Sequence, residues 1–197
     1  MRRIVFVIGS RDRLGRLAPV LRKAAEAGLR HDVWLIDGSD VDAEGLARDL
    51  GLDSKFSSAG KRAGRTGLGG AQGLYSHVAA LKTWTGRQPL VVVYGESGST
   101  LLATLAARLG GGWIVHLESG ESSGSLFDPF PAELYRRLTF GMTNFALCAD
   151  EASYERMRGY HCKVVQVDGR MKAGAATGSA AGAAQDAVVA ALADWSR

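Results

Sequence analysis

Trp113-Ile-Val-His-Leu-Glu-Ser-Gly-Glu-Ser-Ser-Gly-Ser-Leu-Phe-Asp-Pro-Phe-Pro-Ala-Glu133 sets the fold class of this chain. Its apolar start leads into a segment that is too polar for a core and too rich in glycine and proline for regular structure. A helix-like run over 134–141 follows. A strand, an acidic loop and a helix in this order are typical of an α/β protein that builds a site at the carboxyl end of its sheet.

Short apolar runs alternate with helical patterns along the rest of the chain. The predicted strands are 4–8, 33–36, 55–57, 90–94, 113–116, 145–148 and 163–167. The predicted helices are 14–28, 41–50, 71–87, 100–109, 132–141, 150–158 (capped by Asp150) and 186–195. Wholly apolar runs of this length are typical of strands buried on both faces of a parallel sheet. The alternation predicts the α/β class, with a single Rossmann-like, doubly wound parallel sheet.

The end of the chain differs in composition from the rest. Residues 169–184 are mostly Gly, Ala and Ser, which predicts a flexible linker between a domain at 1–168 and a helical end at 185–197. Apolar residues in that final segment have helical spacing, so we expect it to dock back on the domain as a C-terminal helix.

Composition limits the classes of partner. Of the 197 residues, 46% are hydrophobic and 22% are charged, which is an ordinary composition for one globular domain. A net charge of +4 fits an anionic small molecule but is too weak to indicate nucleic acid. The apolar run after Met1 is too short for a signal peptide, and no run approaches membrane-spanning length. We therefore expect a cytoplasmic protein with no membrane partner. Two cysteines give no disulfide framework, and Cys148 ends an apolar run, which favours the core.

Two basic loops are candidates for anion binding. Gly9-Ser-Arg-Asp-Arg-Leu-Gly-Arg16 joins the first strand to the first helix, whose amino terminus attracts anions. Ser10, Arg11 and Arg16 are the candidate contacts to a phosphate; the alternative is that the arginines are solvated on the first helical turn. The glycine-rich loop at 60–70 fits no phosphate-binding motif, and is either a surface loop or a lid over a phosphate.

A second strand–helix junction carries a candidate base. Gly95-Glu-Ser-Gly-Ser-Thr100 follows the strongest predicted strand, so Glu96 lies at the carboxyl edge of the sheet. Glu96 is a candidate general base and Ser97 a candidate substrate contact. Alternatively, either residue is only the cap of the helix that follows.

The acidic segment supplies three more candidate catalytic residues, Glu118, Glu121 and Glu133. Carboxylates crowded in a cleft raise one another's pKa, which lets one act as an acid beside another acting as a base. His116 is a candidate contact that orients a neighbour, or else a hydrogen-bonded structural residue. No spacing typical of metal ligands is present, and no cofactor is predicted.

Three motifs lie in order at successive strand–helix junctions. They are Gly9-Ser-Arg-Asp-Arg-Leu-Gly-Arg-Leu-Ala-Pro-Val20, Tyr94-Gly-Glu-Ser-Gly-Ser-Thr-Leu-Leu-Ala-Thr-Leu-Ala-Ala107, and His116-Leu-Glu-Ser-Gly followed by Phe127-Asp-Pro-Phe-Pro-Ala-Glu-Leu-Tyr-Arg136. They resemble the patterns GTRPE, HGDTTT and HVEAG…SPWPEE in the amino-terminal domain of the UDP-N-acetylglucosamine 2-epimerases. The resemblance covers residues 1 to about 170.

The resemblance implies half of a GT-B architecture, in which two Rossmann-like domains enclose the active site. It implies that the proton at sugar C2 is removed while UDP leaves, and that UDP or water then adds to the resulting glycal. By position, Arg11 and Arg16 match basic residues that contact the nucleotide sugar. Glu96 stands where the family has a catalytic aspartate, and Glu118 matches the glutamate of HVEAG.

The chain also departs from the family pattern. Ala132 replaces the first glutamate of PEE, a catalytic one, while Glu133 keeps the second, and no second domain is matched. We therefore expect a single-domain, epimerase-like enzyme that acts on a nucleotide sugar or related anionic small molecule. A homodimer, or a partner chain that supplies the second domain, would complete its site. The alternatives are an inactive module that binds a ligand or partner, and a carboxylate-based hydrolase.

Overall fold

The computed structural model describes residues 2–8, 11–35, 45, 48, 55–58, 88–125, 130–167, 169 and 179–197. The predicted helix at 71–87 and the glycine-rich loop at 60–70 lie outside these residues, as does the predicted helix at 41–50 apart from residues 45 and 48.

The described residues form seven strands and five helices. The strands are β1 (Ile4–Ile8), β2 (His31–Leu35), β3 (Lys55–Ser58), β4 (Leu90–Tyr94), β5 (Trp113–Leu117), β6 (Phe145–Cys148) and β7 (Lys163–Gln166). The helices are α1 (Arg11–Glu26), α2 (Gly98–Leu109), α3 (Ala132–Met142), α4 (Glu151–Met157) and α5 (Ser179–Trp195). Asp150 caps α4 by accepting a hydrogen bond from the backbone N–H of Ser153, as predicted.

The strands form one parallel sheet in the order β3-β2-β1-β4-β5-β6-β7. The chain builds outward in one direction from β1 to β3 and then in the other from β4 to β7. Parallel sheets wound in this way leave a crevice at the carboxyl ends of the two strands where the direction reverses. Here those strands are β1 and β4. The predicted Rossmann-like, doubly wound sheet is confirmed.

Helices cover both faces of the sheet. Alternate side chains of β1 and β4 pack on opposite faces, as the period of a strand requires. One core joins Phe6 and Val92 to α1 and α5, and the other joins Val7 and Val93 to α2. All residues of β1 and β4 are buried, which explains their continuous apolar sequences. Cys148 is buried beneath α3 and α4, as expected for a core cysteine.

The final helix begins earlier than its sequence predicts. Helix α5 starts at Ser179, so residues 179–184, which the sequence predicted to be part of the linker, are helical. These residues are mostly alanine, the strongest helix former, which offsets the glycine at 182. Val188 and Leu192 enter the core with α1, and Lys23 of α1 pairs with Asp186 and bonds to the Gly182 carbonyl. The docking of the C-terminal helix is therefore as expected. In the part of the chain that the structure describes, we found no helix with the length and apolar character needed to cross a membrane.

Candidate functional site

A cleft lies at the carboxyl ends of β4 and β5, beside the point where the strand order reverses. It is lined by residues from the loops after β4 and β5, from the end of β5 and from α3: Gly95, Glu96, His116, Leu117, Glu118, Glu121, Arg136 and Phe140. Its empty space is about 270 Å³, part of it open to solvent. The two strand–helix junctions that carry the predicted carboxylates therefore meet in one place, and three of the four predicted carboxylates line the cleft.

The turn after β4 needs a glycine because its backbone is left-handed, and an arginine also lies against it. Gly95 has a φ of +98°, and a Cβ atom there would lie 1.9 Å from Nη1 of Arg13. That nitrogen donates hydrogen bonds to the carbonyl of Tyr94 (2.9 Å) and to Oγ1 of Thr100 (3.1 Å). Arg13 thus ties α1 to the β4–α2 turn across the reversal point.

Ser97 is the N-cap of α2. Its hydroxyl accepts a hydrogen bond from the backbone N–H of Thr100, so the capping alternative describes this residue. The cap leaves Glu96 on the cleft wall, with a side chain 38% exposed. Its Oε2 lies 3.9 Å from Nη2 of Arg136. Glu96 therefore faces a cation, not the start of the helix.

Glu118 occupies a strained backbone position directly after β5. Its φ of +50° is in the left-handed region, which a non-glycine residue adopts at a cost of about 1–3 kcal/mol. Such strain is concentrated at functional sites. Oε2 of Glu118 accepts a hydrogen bond from the Tyr94 hydroxyl at 3.0 Å, and the exposed Arg16 donates to that same hydroxyl. A hydrogen-bonded chain thus runs from α1 through β4 to the loop after β5.

His116 is buried beneath the cleft as a neutral imidazole. Its Nδ1 lies 2.9 Å from Oγ of Ser119, and its Nε2 lies 3.4 Å from the carbonyl of Gly95. Burial lowers its pKa to about 4; the charges of Arg13 and Arg136 act in the same direction, while the Gly95 carbonyl opposes them. The ring therefore carries no charge at neutral pH and joins the β4 turn to the β5 turn.

Glu133 is fully buried and serves as an anchor. Its carboxylate accepts hydrogen bonds from the Ser122 hydroxyl, the Ser123 backbone N–H, Nη1 of Arg136 at 3.1 Å and Nε of Arg137 at 3.2 Å. Burial alone would raise its pKa, but the hydrogen bonds from Ser122, Arg136 and Arg137 outweigh burial and lower it. Glu133 does not line the cleft. These contacts favour a positioning role over the predicted catalytic one.

Sequence reasoning overlooked two contributors to the site. Arg136 reaches the cleft from the first turns of α3, with only 16% of its side chain exposed, between Glu133 and Glu96. The only signal for it was its i, i+3 spacing from Glu133. Tyr94 was counted as part of an apolar strand. Among the predicted anion contacts, Ser10 lies outside the described residues, and of Arg11 the structure describes only its place at the start of α1.

No group of three or more His, Cys, Asp or Glu side chains within the described ranges is arranged to hold a metal ion.

No protein-family model matches the chain. Over 64 residues it is 34% identical to a probable UDP-N-acetylglucosamine 2-epimerase of Ralstonia solanacearum, a stretch that covers 32% of this chain and 17% of that protein.

Solved structures extend the likeness to most of the chain. The UDP-N-acetylglucosamine (UDP-GlcNAc) 2-epimerase of Neisseria meningitidis, bound to UDP-GlcNAc, aligns with a TM-score of 0.70 at 20% identity, over 84% of this chain and 45% of that one. The Methanocaldococcus jannaschii enzyme, in complex with UDP-GlcNAc and UDP, aligns with a TM-score of 0.68 at 18% identity, over 84% of this chain and 46% of that one. The chain thus spans less than half the length of these enzymes. It has the fold of about half of a UDP-GlcNAc 2-epimerase, in accord with the amino-terminal domain that its three motifs predicted.

Proposed function

We propose that the cleft carries out proton transfer at a sugar carbon of a nucleotide sugar, as part of an epimerase-like enzyme. One observation carries the proposal: Glu96, from the loop after β4, lines the same cleft as Glu118 and Glu121, from the loop after β5, and as Arg136, at the carboxyl edge of the sheet. Several carboxylates beside one cation suit a reaction in which a proton is taken up on one side of a sugar ring and returned on the other. The fold-level likeness to enzymes solved with UDP-GlcNAc supports the substrate class.

The proposed step assigns each group a role. A carboxylate, Glu118, takes the proton from sugar C2, and the electron pair of the broken C–H bond forms a C1–C2 double bond. The C1–O bond breaks, and its electron pair leaves with the nucleoside diphosphate. Arg136 stabilises the negative charge that develops, because an arginine in a partly buried site acts with little solvent screening. Glu96 or Glu121 returns a proton to C2 as the diphosphate adds again.

The described cleft is one part of a larger site. Part of its empty space of about 270 Å³ is open solvent, so the described residues do not by themselves enclose a ligand of the size of a nucleotide sugar. The chain also spans less than half of each solved epimerase that it matches. We therefore propose that a second domain, a partner chain or a second copy of this chain supplies the nucleotide contacts.

Isotope exchange tests the proposal directly. UDP-GlcNAc is incubated with the protein in D₂O, and loss of the C2 proton signal is followed by NMR. We expect the Glu118→Gln variant to exchange about 100-fold more slowly or worse, the usual loss on removing a general base. The matched control is Glu155→Gln, an exposed carboxylate paired with Arg158 on α4. Equal exchange by Glu118→Gln and the wild type contradicts the proposal.

A second candidate is a binding module without catalysis. It is favoured by Ala132, the first residue of α3, where the resembling family has a catalytic glutamate. Calorimetry with UDP-GlcNAc separates the two, because a module binds the ligand while no product accumulates on long incubation. Phosphorus NMR of the same samples detects UDP release, which identifies the hydrolase alternative.

A further inference from the structure

We propose that Tyr94 is a positioning residue, whose hydroxyl holds the Glu118 carboxylate in the orientation needed to accept a proton. This inference rests on the proposed function, in which Glu118 is the base. Tyr94 is the last residue of β4 and is only 6% exposed, so its ring has a fixed place in the core. Its hydroxyl lies 3.0 Å from Oε2 of Glu118 and contacts Arg16 on its other side.

The direction of this hydrogen-bonded chain follows from the chemistry of its ends. An arginine side chain can only donate, and an ionised carboxylate can only accept. The hydroxyl between them has a single proton, so it accepts from Arg16 and donates to Glu118. Burial, together with the nearby Glu118 charge, raises the pKa of Tyr94 to about 12, so the hydroxyl keeps its proton at neutral pH. Arg16 therefore acts on Glu118 through Tyr94.

The hydrogen bond from Tyr94 fixes the carboxylate of Glu118, a residue whose backbone is itself in the left-handed region. Glu118 leaves β5 with a left-handed φ, which sets the direction of its side chain. The Tyr94 hydroxyl then holds one carboxylate oxygen and so restricts rotation about the last side-chain bond. A base held in this way loses less freedom on reaching the transition state, and a small misplacement costs rate more than binding.

Tyr94→Phe is a suitable test because it removes one oxygen from a ring that stays packed in the core. We expect the kcat for exchange of the C2 proton to fall by about tenfold to 100-fold, and the KM to stay within about twofold of the wild-type value. In protein carrying ¹³C at glutamate carboxyl carbons, the titration midpoint of Glu118 moves upward by about one pH unit or more. The control is Tyr154→Phe on α4, which we expect to change neither quantity.

Thermal unfolding and a second variant make the result decisive. Thermal unfolding shows that Tyr94→Phe is folded. If it is not, Arg16→Gln at its exposed helical position replaces it, and we expect the same upward shift of the Glu118 midpoint. An unchanged midpoint in the folded variants overturns the inference, whatever happens to the rate, and an unchanged exchange rate does so as well. If the wild type exchanges no proton yet the midpoint moves, the proposed function fails and the Tyr94–Glu118 contact stands.

Discussion

Replacing Glu133 with alanine removes the anchor that orients the cationic side of the cleft. The wild-type carboxylate is fully buried, and four donors point to it. Its loss leaves Arg136, with only 16% of its side chain exposed, without its closest anionic partner. It also releases the hydrogen bonds that hold Ser122 and Ser123 against α3.

The magnitude follows from the burial of each partner. Removing one member of a buried ion pair costs about 3–5 kcal/mol. Arg137 has 42% of its side chain exposed, so solvent screens its share. Arg136 keeps Glu96 at 3.9 Å as a weaker partner, which places the cost near the low end, about 3 kcal/mol. For a chain of this size, that lowers the melting temperature by roughly 6–12 °C.

Thermal unfolding at neutral pH measures this cost, with Glu155→Ala as the matched control. Glu155 makes the same i, i+3 contact with an arginine, but both members of that pair are more than half exposed, and we expect no measurable change. Because the pKa of Glu133 is lowered in the folded state, its contribution is present above its ordinary pKa of about 4.3 and is lost as the pH falls through the folded value. The difference between wild type and Glu133→Gln should therefore disappear in acid. If the Glu133→Ala and Glu155→Ala proteins have the same melting temperature, the anchoring role is refuted.

Three further outcomes are expected. His116 has a pKa of about 4 in the folded protein, below its ordinary value of about 6.5, so the unfolded chain binds more protons than the folded chain between these two pH values. The free energy of unfolding of the wild type should therefore rise with pH over this window by up to about 3 kcal/mol. The His116→Gln variant should flatten that rise when unfolding is measured in urea. Gly120→Ala should lower the melting temperature clearly more than Gly124→Ala, because both have a positive φ but only at Gly120 does an added Cβ meet backbone, 2.4 Å from the Ser153 carbonyl oxygen; equal losses would mean that the backbone strain alone matters. Asp150→Ala should cost about 1 kcal/mol by removing the cap of α4, and Asp150→Asn, which can also cap, should restore most of it in the same assay.

Three of the described strands were predictable because burial on both faces of a parallel sheet requires continuous apolar sequence. The runs at 4–8, 90–94 and 145–148 coincide with β1, β4 and β6. The start of α5 was not predictable, since a run of alanine and glycine suits both a linker and a helix. Its assignment depends on the packing of Val188 and Leu192 against α1, which no local pattern shows.

The candidate site was predictable only in part, for a related reason. Carboxyl ends of parallel strands meet at one edge, so the sequence indicated that Glu96 and Glu118 lie near each other. The contacts that orient them are long-range. Arg13 lies in the basic loop that was predicted to bind an anion, yet it donates hydrogen bonds to the β4–α2 turn. Tyr94 was predicted only as the end of an apolar strand, and nothing in the sequence indicated that its hydroxyl donates a hydrogen bond to Glu118.

We propose that this cleft receives the sugar of a nucleotide sugar. Amide ¹H–¹⁵N spectra recorded during a titration with UDP-GlcNAc test it most directly, because they locate even weak binding residue by residue. We expect shifts concentrated at Gly95, Glu96, Glu118 and Glu121, in the loops that line the cleft. Shifts confined to the amino-terminal edge of the sheet, or no shifts up to millimolar ligand, would contradict it.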